Sequence, residues 1–183
     1  MKKNALMIVV LGGALAAPAA VLAACRTAAA YTAPAPAAAA DDVETGIALF
    51  QKGEYARAEE TLRGAPGLEA SAYLAASLAK QKKYAEAEAP AKAALEANPT
   101  HEVAVAALGE SLVGQRKFDE GVEKMSEAIK KKPELAYAYF WRGQAYYGKK
   151  KADKMVADFE TFLKLAPKAP EAAVVRQLLS SLG

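Results

Sequence analysis

PTHEVAVAALGESLVGQRKFDEGVEKMSEAIKKKP, residues 99–133, runs from one proline to another and holds two segments with apolar residues at helical spacing, parted by the polar turn Gln115-Arg116-Lys117. Proline at each end stops a helix, because it lacks the N–H that the next turn requires. The stretch is one copy of a longer pattern. Pro99, Pro133 and Pro167 lie 34 residues apart, and the same interval separates Tyr84 from Phe118, Ala94 from Ala128, Leu74 from Leu108 and Gly109 from Gly143. A fixed period of this length signals stacked supersecondary units, so it outranks any other fold argument. The spacing predicts helices over Leu68–Gln81, Tyr84–Ala97, His101–Gln115, Phe118–Lys131, Leu135–Gly148 and Ala152–Leu165.

The landmarks on either side repeat by type. Leu74, Ala75, Leu78, Tyr84, Ala87, Ala94 and Pro99 mark one unit, and Leu108, Gly109, Leu112, Phe118, Ala128 and Pro133 the next. Tyr139, Gly143, Tyr146, Phe159 and Pro167 mark a third. An earlier unit shows Gly46, Ala48, Gly53-Glu54-Tyr55 and Ala58, its second helix cut short at Gly64-Ala65-Pro66-Gly67. These residues resemble the tetratricopeptide repeat, over residues 42–169. The resemblance implies an all-α, right-handed solenoid of about four helix pairs. Small residues at the crossings let helix axes approach while aromatics fill the notches. Ala152 and Met155 depart from the family pattern in the last second helix, and Pro90, inside Tyr84–Ala97, is expected to kink it. Residues 170–183 carry apolar residues at 173, 174, 175, 178, 179 and 182, which reads as an amphipathic capping helix over the last repeat.

Composition agrees and excludes. Of 183 residues, 53% are hydrophobic but only 8% aromatic, and alanine accounts for much of the difference, so the core is built from small side chains at close helix contacts. One Cys and one His leave no disulfide framework and no Cys-His zinc cluster. No nucleophile elbow, phosphate-cradling loop, metalloprotease helix or dinucleotide fingerprint occurs. His101, at a helix start and without a second His, reads as structural. The expectation is a non-enzymatic protein with no catalytic residue, metal or cofactor. Twenty-four Lys and Arg against 21 Asp and Glu are too balanced and too interspersed to indicate a nucleic-acid partner.

The N-terminus reads as an address. Lys2 and Lys3 precede an uncharged stretch from Ala5 to Ala24, the layout of a secretory signal peptide over residues 1–24. Its apolar length approaches that of a spanning helix, which leaves an uncleaved anchor open. Leu22-Ala23-Ala24-Cys25 resembles the bacterial lipobox, a resemblance that implies lipidation of Cys25 and cleavage before it; the alternative is ordinary cleavage beside an incidental Cys. Residues 25–41 are rich in Ala and Pro, with Pro34 and Pro36 against a continuous helix, and read as a tether. At about 3.1 Å per residue if extended, the fifteen residues from Arg26 to Ala40 reach roughly 45 Å from a lipid surface. Arg26 stands where an Asp would resemble an inner-membrane retention signal, so the expected location is the outer membrane of a bacterial envelope, facing the periplasm.

Two binding surfaces follow. The family's ligand face is the concave one, lined by first helices, and the resemblance places Ile47, Phe50, Tyr73, Tyr137, Phe140, Gln144 and Tyr147 on it, with Val43, Ala72, Ala76, Val103, Ala106 and Glu110 beside them. An apolar groove with aromatic anchors fits an apolar or amphipathic segment of another protein, though Trp141 and some of these aromatics equally fit packing between repeats. Family members that clamp acidic chaperone tails carry Lys, Arg and Asn at such places; Val, Ile, Ala, Phe and Gln here disfavour that ligand. Lys82-Lys83, Arg116-Lys117 and Lys150-Lys151 recur in phase and form a basic rim, which suits an anionic membrane or cell-wall polymer or else complements the helix dipoles. The leading expectation is an envelope lipoprotein adaptor that binds a protein or peptide partner, its pathway the assembly of a pilus secretin or another outer-membrane complex, as in similar tetratricopeptide lipoproteins.

Overall fold

The computed structural model describes residues 36–182. Among them are nine helices: α1 (Pro36–Gln51), α2 (Tyr55–Leu62), α3 (Leu68–Lys80), α4 (Tyr84–Ala97), α5 (Glu102–Gly114), α6 (Phe118–Lys131), α7 (Ala136–Gly148), α8 (Ala152–Leu165) and α9 (Ala172–Ser180). Each odd helix from α1 to α7 packs against the even helix that follows it. Successive first helices α1, α3, α5 and α7 also touch one another, so they build a continuous face. The architecture is the all-α solenoid expected from the period, with α9 laid on its last pair. None of the described helices is long and apolar enough to cross a membrane.

α1 begins at Pro36 and so takes in residues 36–41, which composition alone reads as tether. Proline is at ease in the first turn of a helix, where its missing N–H has no partner to lose, and the alanines that follow are strong helix formers. Cys25 and the signal segment lie outside the described residues. α4 runs unbroken through Pro90, although the ring removes one hydrogen bond inside it.

The small residues do what the packing needs. A Cβ on Gly143 would fall 2.7 Å from Phe159, one on Gly148 2.4 Å from Phe118, and one on Gly114 2.5 Å from Tyr84. In each case an aromatic of the adjoining second helix lies against bare backbone of the first. Where no ring intervenes, Ala58, Ala87, Ala91 and Ala94 are wholly buried, which brings second helices close to their neighbours.

First helices end in one way. Gly53, Lys82, Arg116 and Lys150 have φ of 80°, 62°, 61° and 57°, the left-handed conformation. The following amide then reaches back five residues, as Lys83 N donates to the Leu78 carbonyl at 2.9 Å, Lys117 N to Leu112 at 2.8 Å and Lys151 N to Tyr146 at 2.9 Å. This hydrogen-bond pattern satisfies carbonyls that a helix end would otherwise leave bare.

Candidate functional site

The face made by α1, α3, α5 and α7 carries a depression of about 280 Å³. Its floor is Ala76, Ala106 and Ala107, small enough to leave room, and its walls are Phe50 from α1, Val103 from α5, and Tyr137 and Trp141 from α7. Phe50 is held from behind by Tyr73, edge-on with ring centres 5.4 Å apart, and by Tyr55 at the same distance. Trp141 is seated by Gly109, whose Cβ, if present, would fall 2.5 Å from the Trp141 Cβ and Cγ. A larger residue at 109 would push the indole off its place. Trp141 Nε1 is buried and has no hydrogen-bond acceptor among the described residues.

Polar groups rim the depression. Lys80 Nζ meets Glu110 Oε2 at 2.9 Å across α3 and α5, and Glu102, exposed, receives Lys132 at 3.2 Å. Glu171, just before α9, accepts the Tyr137 hydroxyl at 2.9 Å. Burial, and then the hydrogen bond and charge of Glu171, push the Tyr137 hydroxyl up to about 12, so it stays a donor at any physiological pH. The groups gathered here offer apolar contact, aromatic edges and fixed charges. That chemistry suits the capture of a side chain or a chain segment.

The expected site residues divide. Phe50 and Tyr137 line the depression, as do Val103, Ala106 and Glu110; Tyr73 supports Phe50 from one side, and Ile47 is half-buried on α1 without lining it. Phe140 is a correction: it is 6% exposed, in a cluster with Met155, Phe159, Phe162, Ala172 and Val175. The helix register is as expected, but α9 lies over that end of the face and turns a lining position into core. Gln144 shares a smaller hollow with Val174, Val175 and Leu178 of the same helix α9. Tyr147, 59% exposed, stands apart in a separate hollow with Lys150, Lys151 and Leu182. The set therefore does not form one site. Trp141 and Glu171 belong to it and were not expected there; for Trp141 the signal was Gly109, one period before the Gly143 that seats Phe159.

The lysine rim is partly engaged in joining repeats. Lys83 meets Glu59 at 2.8 Å and Lys117 meets Glu88 at 2.8 Å, with Gln81 and Gln115 donating to the same carboxylates. Hydrogen bonds from Lys83 and then Arg63 hold the Glu59 carboxyl at about 2, and those from Lys117 and Lys92 do the same for Glu88. One repeat after Glu88 the residue is Val122, and the joint is not repeated there. His101 caps α5: its Nδ1 accepts from Ala104 N at 3.3 Å and its Nε2 faces Glu69 at 3.1 Å. Both ring nitrogens have structural partners.

A family model described as Tetratricopeptide repeat matches residues 43–102 and 106–170. Among solved structures, a thermophilic tetratricopeptide protein of Thermus thermophilus superposes with a TM-score of 0.70 at 21% identity, over 80% of this chain and 84% of that one. YrrB, described as a tetratricopeptide protein with an unusual peptide-binding site, gives 0.62 at 19%, over 76% and 75%. PilF of Pseudomonas aeruginosa gives 0.62 at 22%, over 76% and 66%. At such identities the likeness is one of fold. No curated protein sequence matches this chain.

Proposed function

The chain belongs to the tetratricopeptide repeat family, a family of protein-interaction scaffolds, and from that membership we propose that it is a non-enzymatic, lipid-anchored adaptor of the bacterial envelope. In this reading an apolar or amphipathic segment of a partner protein lies on the first-helix face. The observation that carries the reading is the depression itself, where Phe50, Val103, Tyr137 and Trp141 surround an alanine floor that no part of the described chain fills. Aromatic anchors around a small-residue pocket are where binding energy concentrates in such grooves.

The anchor rests on Leu22-Ala23-Ala24-Cys25, and the outer membrane, facing the periplasm, on Arg26. Assembly of a pilus secretin or another outer-membrane complex is the proposed pathway, and the fold likeness to PilF is compatible with it. The rim alternative, binding of an anionic membrane or cell-wall polymer by lysines, draws less support, since Lys83 and Lys117 already face carboxylates.

The test joins the two halves. Full chain and its Cys25→Ser variant are expressed in the bacterium and fractionated, and partner capture is compared with that of Ala106→Gln, which lays an uncharged polar side chain across the floor. The reading predicts that Cys25→Ser gives soluble protein or signal-retained precursor in place of the mature membrane form, and that Ala106→Gln keeps the mature membrane form but loses its partner. A mature-sized Cys25→Ser chain in the same membrane contradicts the anchor, and undiminished capture by Ala106→Gln contradicts the groove.

A further inference from the structure

The charges around the depression are unequal, and they bear on what it binds. Four charged side chains line it: Lys80, Glu102, Glu110 and Glu171. Lys80 and Glu110 lie 2.9 Å apart and neutralise one another. Glu102 is exposed and held by Lys132 at 3.2 Å, a contact that water weakens. Glu171 differs from both. It is half-buried beside the aromatic wall, accepts the Tyr137 hydroxyl at 2.9 Å, and forms no ion pair among the described residues. A phenol that stays protonated donates to that carboxylate without cancelling its charge. The depression is thus an apolar hollow with an uncompensated anion on its α9 side.

Resting on the groove reading above, we propose that the occupant is a cationic amphipathic segment of a partner protein. An aliphatic or aromatic side chain enters the hollow between Phe50 and Trp141, and a Lys or Arg close to it in the partner reaches Glu171. A carboxylate-bearing segment is repelled at that place, which gives the groove selectivity beyond apolar contact. Arg suits it better than Lys, because one oxygen of Glu171 is taken by Tyr137 and a planar guanidinium reaches the remaining lone pairs from several directions.

The experiment uses a random peptide display library selected on the full chain, on Ala106→Gln and on Glu171→Gln, whose amide oxygen still accepts from Tyr137. Circular dichroism checks that each variant is folded, and Glu171→Ala serves as a second variant that removes the same charge should Glu171→Gln unfold. Binders to the full chain are expected to carry Lys or Arg beside an apolar anchor and to be lost on Ala106→Gln. A synthetic copy of one such binder should weaken about fivefold on Glu171→Gln, the effect of one partly exposed ion pair, and less as salt rises. Binders lost on Ala106→Gln but neutral or acidic, or indifferent to Glu171→Gln, overturn the charge inference and leave the groove standing. No binder at all, or binders indifferent to Ala106→Gln, overturn the groove reading and this inference with it.

Discussion

Phe159 of α8 lies against the bare backbone of Gly143 in α7, so close that a Cβ on the glycine would stand 2.7 Å from its ring. Phe159 is fully buried and cannot move aside without disturbing Phe140 and Phe162. Gly143→Leu therefore overpacks the last pair and is expected to cost about 1–3 kcal/mol. Urea denaturation measures it, and an unchanged midpoint would count against this contact.

Lys82, Arg116 and Lys150 hold left-handed backbone at the ends of first helices, where Gly53 stands in the first repeat. A side chain with a Cβ is strained there, and glycine is not. Each of Lys82→Gly, Arg116→Gly and Lys150→Gly is expected to stabilise the fold by about 0.5–1 kcal/mol, while Arg116→Val should destabilise it. Thermal or urea unfolding of the three glycine variants decides the sign. A loss of stability in all three would mean that the basic side chains contribute more than their backbone costs.

The joints between repeats carry a pH signature. Glu59 and Glu88 ionise at about 2 in the folded chain against an ordinary 4.5, because Lys83 and Lys117 respectively hold the anion. A carboxylate whose folded pKa is depressed adds stability that is fully present above its unfolded pKa and disappears as pH falls through the folded one. The urea midpoint should therefore decline from about pH 4.5 toward about pH 2, and the paired variant Glu59→Gln, Glu88→Gln should flatten that decline. An equal slope in both proteins would place the acid sensitivity elsewhere.

Phe140 and Tyr147 lie on one helix two turns apart, yet their surroundings differ completely: one is 6% exposed and the other 59%. Phe140→Ala is expected to cost about 3–5 kcal/mol as a core truncation. Tyr147→Ala should change stability by less than about 0.5 kcal/mol. Comparable losses for the two would show that Tyr147 is as enclosed as Phe140.

That pair marks how far the sequence was legible. The period, the bounds of α3 to α8 to within a residue, the early end of α2 and the notch glycines all follow from spacing and residue size, because each repeat specifies its own packing. Phe140 does not, since what buries it is α9, a segment outside the period whose landing place no repeat spacing encodes. The same holds for Glu171, which stands just before α9 and lines the depression beside Tyr137. The sequence leaves the rim lysines either as a binding surface or as complements to the helix dipoles; in the structure half of the basic rim holds a strained backbone position and two of the others close onto acids of the preceding repeat. Charge alone cannot separate those uses, because backbone conformation and cross-repeat distance are properties of the assembled solenoid.

Whether the first-helix face is where this protein meets its partner is tested most directly by site-specific photocrosslinking in the cell. A benzoyl-bearing residue replaces Lys80 on the lip of the depression in one strain and Ala157, exposed on α8, in another. The account predicts a discrete crosslinked partner from position 80, lost when Ala106→Gln is added, and none from position 157. The same product from position 157, or one from position 80 that survives Ala106→Gln, would contradict it.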